Sequence, residues 1–295
     1  MSAQATAAAT AANLKFADRT PFWRRGWTAR VPWFGLRVAA TLIYAFILTP
    51  ILITATVSFN SVNRSVFPPQ GLSLHWWGEA LTAKWTDPIL FSLGLAATAA
   101  AIATALGAPA AFALVRRDFP GKRLVELLTI GPLILPALVT GIALLQFLEI
   151  SGLGRLLGFP ALLIGHAVVC VPFSVRTVAI ALRGMPTSIE AAAASLGAPP
   201  LRVLREITFP AISGGVFAGI VFAFIHSLSD VDLSLFLGSP GARPVTVVIL
   251  GFIEFGFAPT LAAVSIVTLL IPLALIVLLE RFVSIGNFLY DMRAR

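Results

Sequence analysis

The sequence predicts an all-α integral membrane protein with six transmembrane helices. Three observations carry that prediction. Hydrophobic residues make up 58% of the 295 and charged residues only 12%, whereas a soluble domain carries about 25% charged residues. Six separate stretches approach the roughly 20 apolar residues needed to cross a hydrocarbon layer of about 30 Å. The basic residues also gather in alternate connections between those stretches, as orientation in a membrane requires.

The first apolar stretch runs from Val38 to Val57, the second from Ile89 to Val115 and the third from Val125 to Phe147. The fourth runs from Ala161 to Leu182, the fifth from Ala211 to Leu228 and the sixth from Leu261 to Phe282. Alternation at period two, the mark of a membrane barrel, is absent from them. Val245 to Phe257 is apolar but short, and Gly251, Glu254 and Gly256 interrupt it. It reads as an interfacial or re-entrant segment.

The net charge of +8 reports orientation. With the N-terminus inside, every Lys and Arg except Arg64, Lys84, Arg155 and Arg243 falls in or beside a cytoplasmic segment. The positive-inside rule therefore places both termini in the cytoplasm, and no nucleic-acid partner is called for. The abundance of apolar residues excludes a disordered chain. A single cysteine, Cys170, excludes a disulfide framework or a multi-thiolate metal site.

Three parts follow: a basic N-terminal tail over residues 1–35, a six-helix domain over 36–285 and a C-terminal tail over 286–295. Residues 1–13 are Ala/Thr-rich and uncharged, and read as disordered. A cleaved signal peptide fits poorly, because some 37 residues precede the first apolar stretch. Trp23, Trp27, Trp33 and Phe34 read as interfacial anchors. The outer loop Ser58–Pro88 carries Trp76, Trp77 and Trp85, for either membrane-surface anchoring or a partner outside.

The cytoplasmic loop over residues 183–210 has its own helix signals. Thr187-Ser188-Ile189-Glu190 reads as a capping box, with the Thr187 hydroxyl accepting from the Glu190 N–H and the Glu190 carboxylate reaching back. Ala191, Ala192, Ala193 and Ala194 are strong helix formers. Gly197 suits the left-handed residue that ends a helix, and Pro199-Pro200 forbid its continuation. A helix of about nine residues results. A second helical run, Leu201–Phe209, leads to Pro210. Such a segment is either a docking element that passes movement to the membrane helices or a well-capped connection.

This loop resembles the EAA loop of membrane subunits of binding-protein-dependent ABC importers. Gly197 matches the signature glycine, and Ile207-Thr208-Phe209-Pro210 matches its isoleucine-x-leucine-proline element with Phe209 in place of leucine. Counting back from Gly197, the usual glutamate falls on Ala191, and Glu190 lies one residue early. The wider sequence is similar to the spermidine/putrescine-type permeases through Ser58-Phe59-Asn60, Phe119-Pro120-Gly121-Lys122 and Ser227-Leu228-Ser229-Asp230. The resemblance implies the type I ABC importer permease fold in the bacterial cytoplasmic (inner) membrane.

It also implies partners. The chain holds no G-x-x-x-x-G-K-[ST] loop, no HExxH and no G-x-S-x-G. ATP and Mg would thus belong to a separate cytoplasmic ABC ATPase dimer docking on Thr187–Pro210, with no cofactor in this chain. A second permease subunit, paralogue or second copy, would complete the path, and a periplasmic or extracellular substrate-binding protein would dock outside. The solute implied is a polyamine such as spermidine or putrescine. Another small organic solute or an iron-type substrate is the alternative, and a stand-alone secondary transporter or a membrane-embedded enzyme are the other classes.

Ser227, Ser229, Asp230 and Asp232 are the candidate substrate path, with His226 and Ser234 nearby. An aspartate at the bilayer centre costs about 2.5–3.5 kcal/mol, so both are expected at the outer interface. Carboxylates at a helix C-terminus oppose its dipole, which calls for a local break or a partner. They form either an acidic mouth for a cation or a solvated pair. Polyamine-type relatives tend to carry an acid after a proline in the third helix, and Ala137 follows Pro136 here. His166 and His226 are candidates either for a proton or ligand role or, as is commoner for a lone membrane histidine, for a hydrogen bond between helices, and Cys170 is expected to behave as a small buried apolar residue.

Overall fold

The structure, a computed structural model, describes residues 33–254 and 256–293, with side chains as far as Arg281. The chain divides into two compact units, residues 1–53 and residues 54–295. In the first, the described residues belong to one helix, α1 (Trp33–Val57), whose apolar side chains such as Phe34 and Phe46 are exposed. Trp23, Trp27 and most of the predicted N-terminal tail lie outside the described residues.

The second unit is mostly helical among its described residues. It holds α2 (His75–Ala80), α3 (Ala83–Arg116), α4 (Lys122–Ile134), α5 (Ala137–Ile150), α6 (Phe159–Gly184), α7 (Thr187–Ser195), α8 (Pro200–Val203), α9 (Phe209–Ser229), α10 (Asp232–Leu237), α11 (Val245–Ile253) and α12 (Pro259–Arg293). Helices α3, α6 and α9 pack against one another at its centre. Lipid tails are as apolar as leucine, so helices in a membrane associate through close packing rather than the hydrophobic effect. Helix α3 meets that need with Ala96, Ala99, Ala100, Ala103 and Gly107, all buried at spacings of three and four. A Cβ at Gly107 would stand 2.8 Å from Ser174 Cβ on α6, and one at Gly219 on α9 would stand 3.1 Å from Ser174 Cα. The three helices meet around Ser174, whose hydroxyl is 2.9 Å from that of Thr104.

Five helices are long and apolar enough to span a membrane, and α4 with α5 forms a bent sixth. That corrects the continuous third span. Leu135 and Pro136 are extended, with ψ of 135° and 131°, and the two helices meet at 105°. Pro136 has no N–H and disfavours a helical residue before it, whereas hydropathy runs uninterrupted across the break.

The tryptophans of the Ser58–Pro88 segment also need correction as surface anchors. Trp76 and Trp85 are buried. Trp76 Nε1 donates to the Asn60 carbonyl at 2.6 Å, and the Trp85 ring packs on Phe252 at 5.0 Å between centroids. Trp77 stacks on Phe59 at 5.3 Å. With α2, the start of α3, α11 and α12 they build a second apolar core. Helix α11 has nine residues, about 13 Å of rise, too short to cross. Helix α12 begins at Pro259 and continues past the expected end at Phe282 to Arg293.

Candidate functional site

Two of the regions singled out from sequence are ordered by local chemistry: the 187–210 segment and the chain after α9.

Helix α7 has the nine residues expected of it. Its C-terminus is a Schellman arrangement, in which the Gly197 N–H donates to Ala194 O at 3.0 Å and the Ala198 N–H to Ala193 O at 3.1 Å. Gly197 sits at φ +82°, in the left-handed region. The capping box is not formed. Pro186 is the N-cap and no side chain caps the helix, because the Glu190 carboxylate is held elsewhere. Its Oε1 accepts from Thr208 Oγ1 at 2.7 Å, and its Oε2 lies 3.1 Å from Arg116 Nε. The Arg116 N–H is not aimed along that line, so this contact is an ion pair rather than an aligned hydrogen bond. Thr187, Ala191 and Ala192 are exposed, Ile207 is half-buried and Pro210 is exposed.

After α8 the chain makes a π-helical turn, Leu204–Thr208, in which Phe209 donates to Leu204 O, and then runs on as α9. Pro210 explains the turn: its ring clashes with the carbonyl four residues back and it has no N–H to offer. The second helical run and the fifth span are therefore one rod, Pro200–Ser229.

At its far end this rod breaks at Asp230. The break turns an unfavourable carboxylate at a helix C-terminus into a favourable one at an N-terminus. Asp230 Oδ1 accepts from the N–H of Leu233 at 3.1 Å and of Ser234 at 3.2 Å, in the first turn of α10. Asp230 and Ser227 are buried, while Ser229 and Asp232 are exposed. The Ser229 hydroxyl donates back to Ile225 O at 2.8 Å. The four path candidates thus divide into an inward pair and an outward pair.

The inward pair meets His166, as expected of a histidine joining helices. Its Nδ1 is 2.7 Å from Ser227 Oγ and its Nε2 is 3.0 Å from Ser234 Oγ, with Asp230 Oδ1 at 4.0 Å. His226 instead packs its ring on Phe173, with centroids 4.8 Å apart. Cys170 is buried with its thiol on Ala223 O. Spacing could not bring His166 and Ser234 together, because 68 residues separate them.

Sequence reasoning missed a cavity of about 520 Å³ between α10 and α11, lined in part by Ser234, Arg243, Val247, Phe252 and Glu254. Its volume lies in the range of small-molecule sites. Arg243, one of the few basic residues outside the cytoplasmic set, was the available signal.

Comparison with known proteins gives this architecture a family. Residues 103–285 match the model of the binding-protein-dependent transport system inner membrane component. The putrescine transport system permease protein PotI of Escherichia coli (strain K12) is 32% identical over 245 residues, covering 80% of this chain and 85% of that protein. The spermidine/putrescine transport system permease protein PotC of the same organism is 33% identical over 254 residues, covering 84% and 94%. Among solved structures, a bacterial ABC transporter that imports the acidic polysaccharide alginate shares the fold, with a TM-score of 0.63 at 15% identity, over 90% of this chain and 99% of that one. Similarity running through the bent third span, the α7 segment and the α9 rod leads to one conclusion: the chain belongs to the binding-protein-dependent transport system inner membrane components, and is a permease subunit of an ABC importer.

Proposed function

We propose that this permease subunit carries a polyamine-class cation inward, driven by a separate ATPase that docks on the 187–210 segment. The observation that carries the solute is the similarity over four fifths of the chain to permeases named for putrescine and spermidine. The exposed Asp232 carboxylate beyond α9 adds a charge that suits a cation.

Docking is supported by the shape of the segment. Helix α7 buries none of its own residues, and Ile189, Leu196 and Leu201 are large apolar side chains left exposed around it. That surface is the cytoplasmic one by the positive-inside rule, and it receives the ATPase dimer, which binds ATP and Mg. A second permease subunit closes the path, and a substrate-binding protein delivers the solute at the opposite face. ATP binding closes the motor, α7 moves with it, and the rod Pro200–Ser229 carries the movement to Asp230. The chain itself makes and breaks no bonds.

One feature favours a second reading, a solute of lower charge. Ala137 stands after Pro136, where polyamine-type relatives tend to carry an acid. The test is reconstitution of the chain with its ATPase, second permease and binding protein in liposomes. ATP-dependent uptake of labelled putrescine or spermidine is expected. Uptake of a neutral or anionic solute, with none of either polyamine, would overturn the cationic assignment.

A further inference from the structure

The acid of α7, Glu190, points inward, while Glu206 in the π turn stays exposed. On a helix one residue is about 100° of rotation, so an acid at position 191 and an acid at position 190 face different surroundings. Ala191 is exposed. Glu190 is 19% exposed at its side chain, against 11% for Arg116. Among the described residues, Glu190 makes every side-chain hydrogen bond and ion pair that leaves α7.

Arg116 is the last residue of α3. Besides its ion pair with Glu190, its Nη2 donates to Met185 O at 3.2 Å, at the C-cap of α6. Thr208, which donates to the other Glu190 oxygen, is 1% exposed and closes the π turn that leads into α9. One carboxylate and one guanidinium therefore join the docking helix to the ends of α3, α6 and α9, three helices that also pack together in the core. Charge-assisted bonds are roughly twice as strong as neutral ones. Removing one partner of a shielded pair also leaves the other charge uncompensated.

We infer that Glu190 and Arg116 are positioning residues, an internal strut that makes α7 move as one body with α3, α6 and α9, and that Glu190 is not a contact for the ATPase. The inference rests on the docking proposed above. The face that α7 itself leaves to the partner then carries no carboxylate and includes Ile189, Ala191, Ala192 and Leu196; the exposed acid of the segment is Glu206, on the π turn.

The test is a double-mutant cycle in the complete reconstituted importer, with Glu190→Gln, Arg116→Gln and the double variant. Two quantities are read: ATPase retained on purification, and solute transported per ATP hydrolysed. ATPase retention is expected to be unchanged in all three. Transport per ATP is expected to fall about fivefold or more in each single variant, the low end of coupling between sites. The double variant should be no worse than either single one, because the two residues act as a unit. Loss of the ATPase from E190Q would make Glu190 a docking contact and overturn the inference, as would multiplying losses or wild-type coupling in the single variants. If Arg116→Gln fails to insert, Thr208→Ser and Thr208→Val probe the same strut. Serine is expected to keep coupling and valine to lose it, and equal coupling in both would overturn the inference. A wild-type chain that retains no ATPase would refute the docking reading instead.

Discussion

His166 Nδ1 stands 2.7 Å from Ser227 Oγ, so one fully buried ring on α6 holds the last turn of α9. Its second nitrogen meets Ser234 of α10, on the other side of the break at Asp230. The turn beyond the α9 rod is thereby referenced to α6.

Replacing His166 with alanine takes its partner from the buried Ser227 hydroxyl, leaves Ser234 only a 3.5 Å contact to Asp230 Oδ1, and opens a void between α6 and α10. Stranded buried polar groups cost about 1–3 kcal/mol each. His166→Ala is expected to lower the thermal unfolding midpoint in detergent clearly, and His166→Asn, which keeps a donor and an acceptor, to lower it less. Equal midpoints for the two variants would remove the hydrogen bonds from the explanation.

The two aspartates separate by role. Asp230→Asn retains an oxygen to accept from Leu233 and Ser234, so the α10 cap should survive while the charge is lost. Asp232→Asn removes an exposed charge alone. If a polyamine passes here, Asp232→Asn should raise the apparent KM for uptake several-fold with little effect on protein yield. Unchanged kinetics in both variants would take the pair out of the solute path.

Gly197→Val places a β-branched residue at φ +82°. Nothing lies within 4 Å of the added Cβ, so the penalty is backbone strain, about 1–2 kcal/mol. Membrane insertion is expected to be normal and solute transported per ATP to fall. Full uptake by this variant would count against α7 as the coupling element.

Asn60 organises the loop between α1 and α2. It is buried, its Nδ2 donates to Arg64 O at 2.9 Å, its Oδ1 accepts from the Gln70 N–H at 3.1 Å, and its carbonyl accepts from Trp76. Asn60→Ala should free the chain between residues 61 and 73, measured as faster proteolysis from the outer face of intact vesicles. Trp76→Phe, which removes one donor and little volume, should show a smaller acceleration.

The helices were legible because burial in lipid is a compositional demand. A stretch such as Phe159–Gly184 must be predominantly apolar, and its ends came out within two residues. The end of α7 was legible because Gly197 and Pro199-Pro200 act on backbone geometry alone. The errors share a different cause. Thr187-Ser188-Ile189-Glu190 satisfies the local rule for a capping box, yet an arginine 74 positions earlier offers Glu190 a stronger partner. Trp76 and Trp85 look like surface anchors until α11 and α12 pack over them. Hydropathy passed over the bend at Pro136 because it sums transfer energies and contains no dihedral angle.

By itself the sequence determined the membrane class, the number and order of apolar stretches, and the place where α7 stops. Each depends on residues within one turn or one span. Tertiary structure decided which way each polar side chain faces: Glu190 into the strut, Asp230 onto the N-terminus of α10, and His166 between two serines distant in the chain. A buried polar group must find a partner wherever the fold supplies one, and only packed helices determine which partner is within 3 Å.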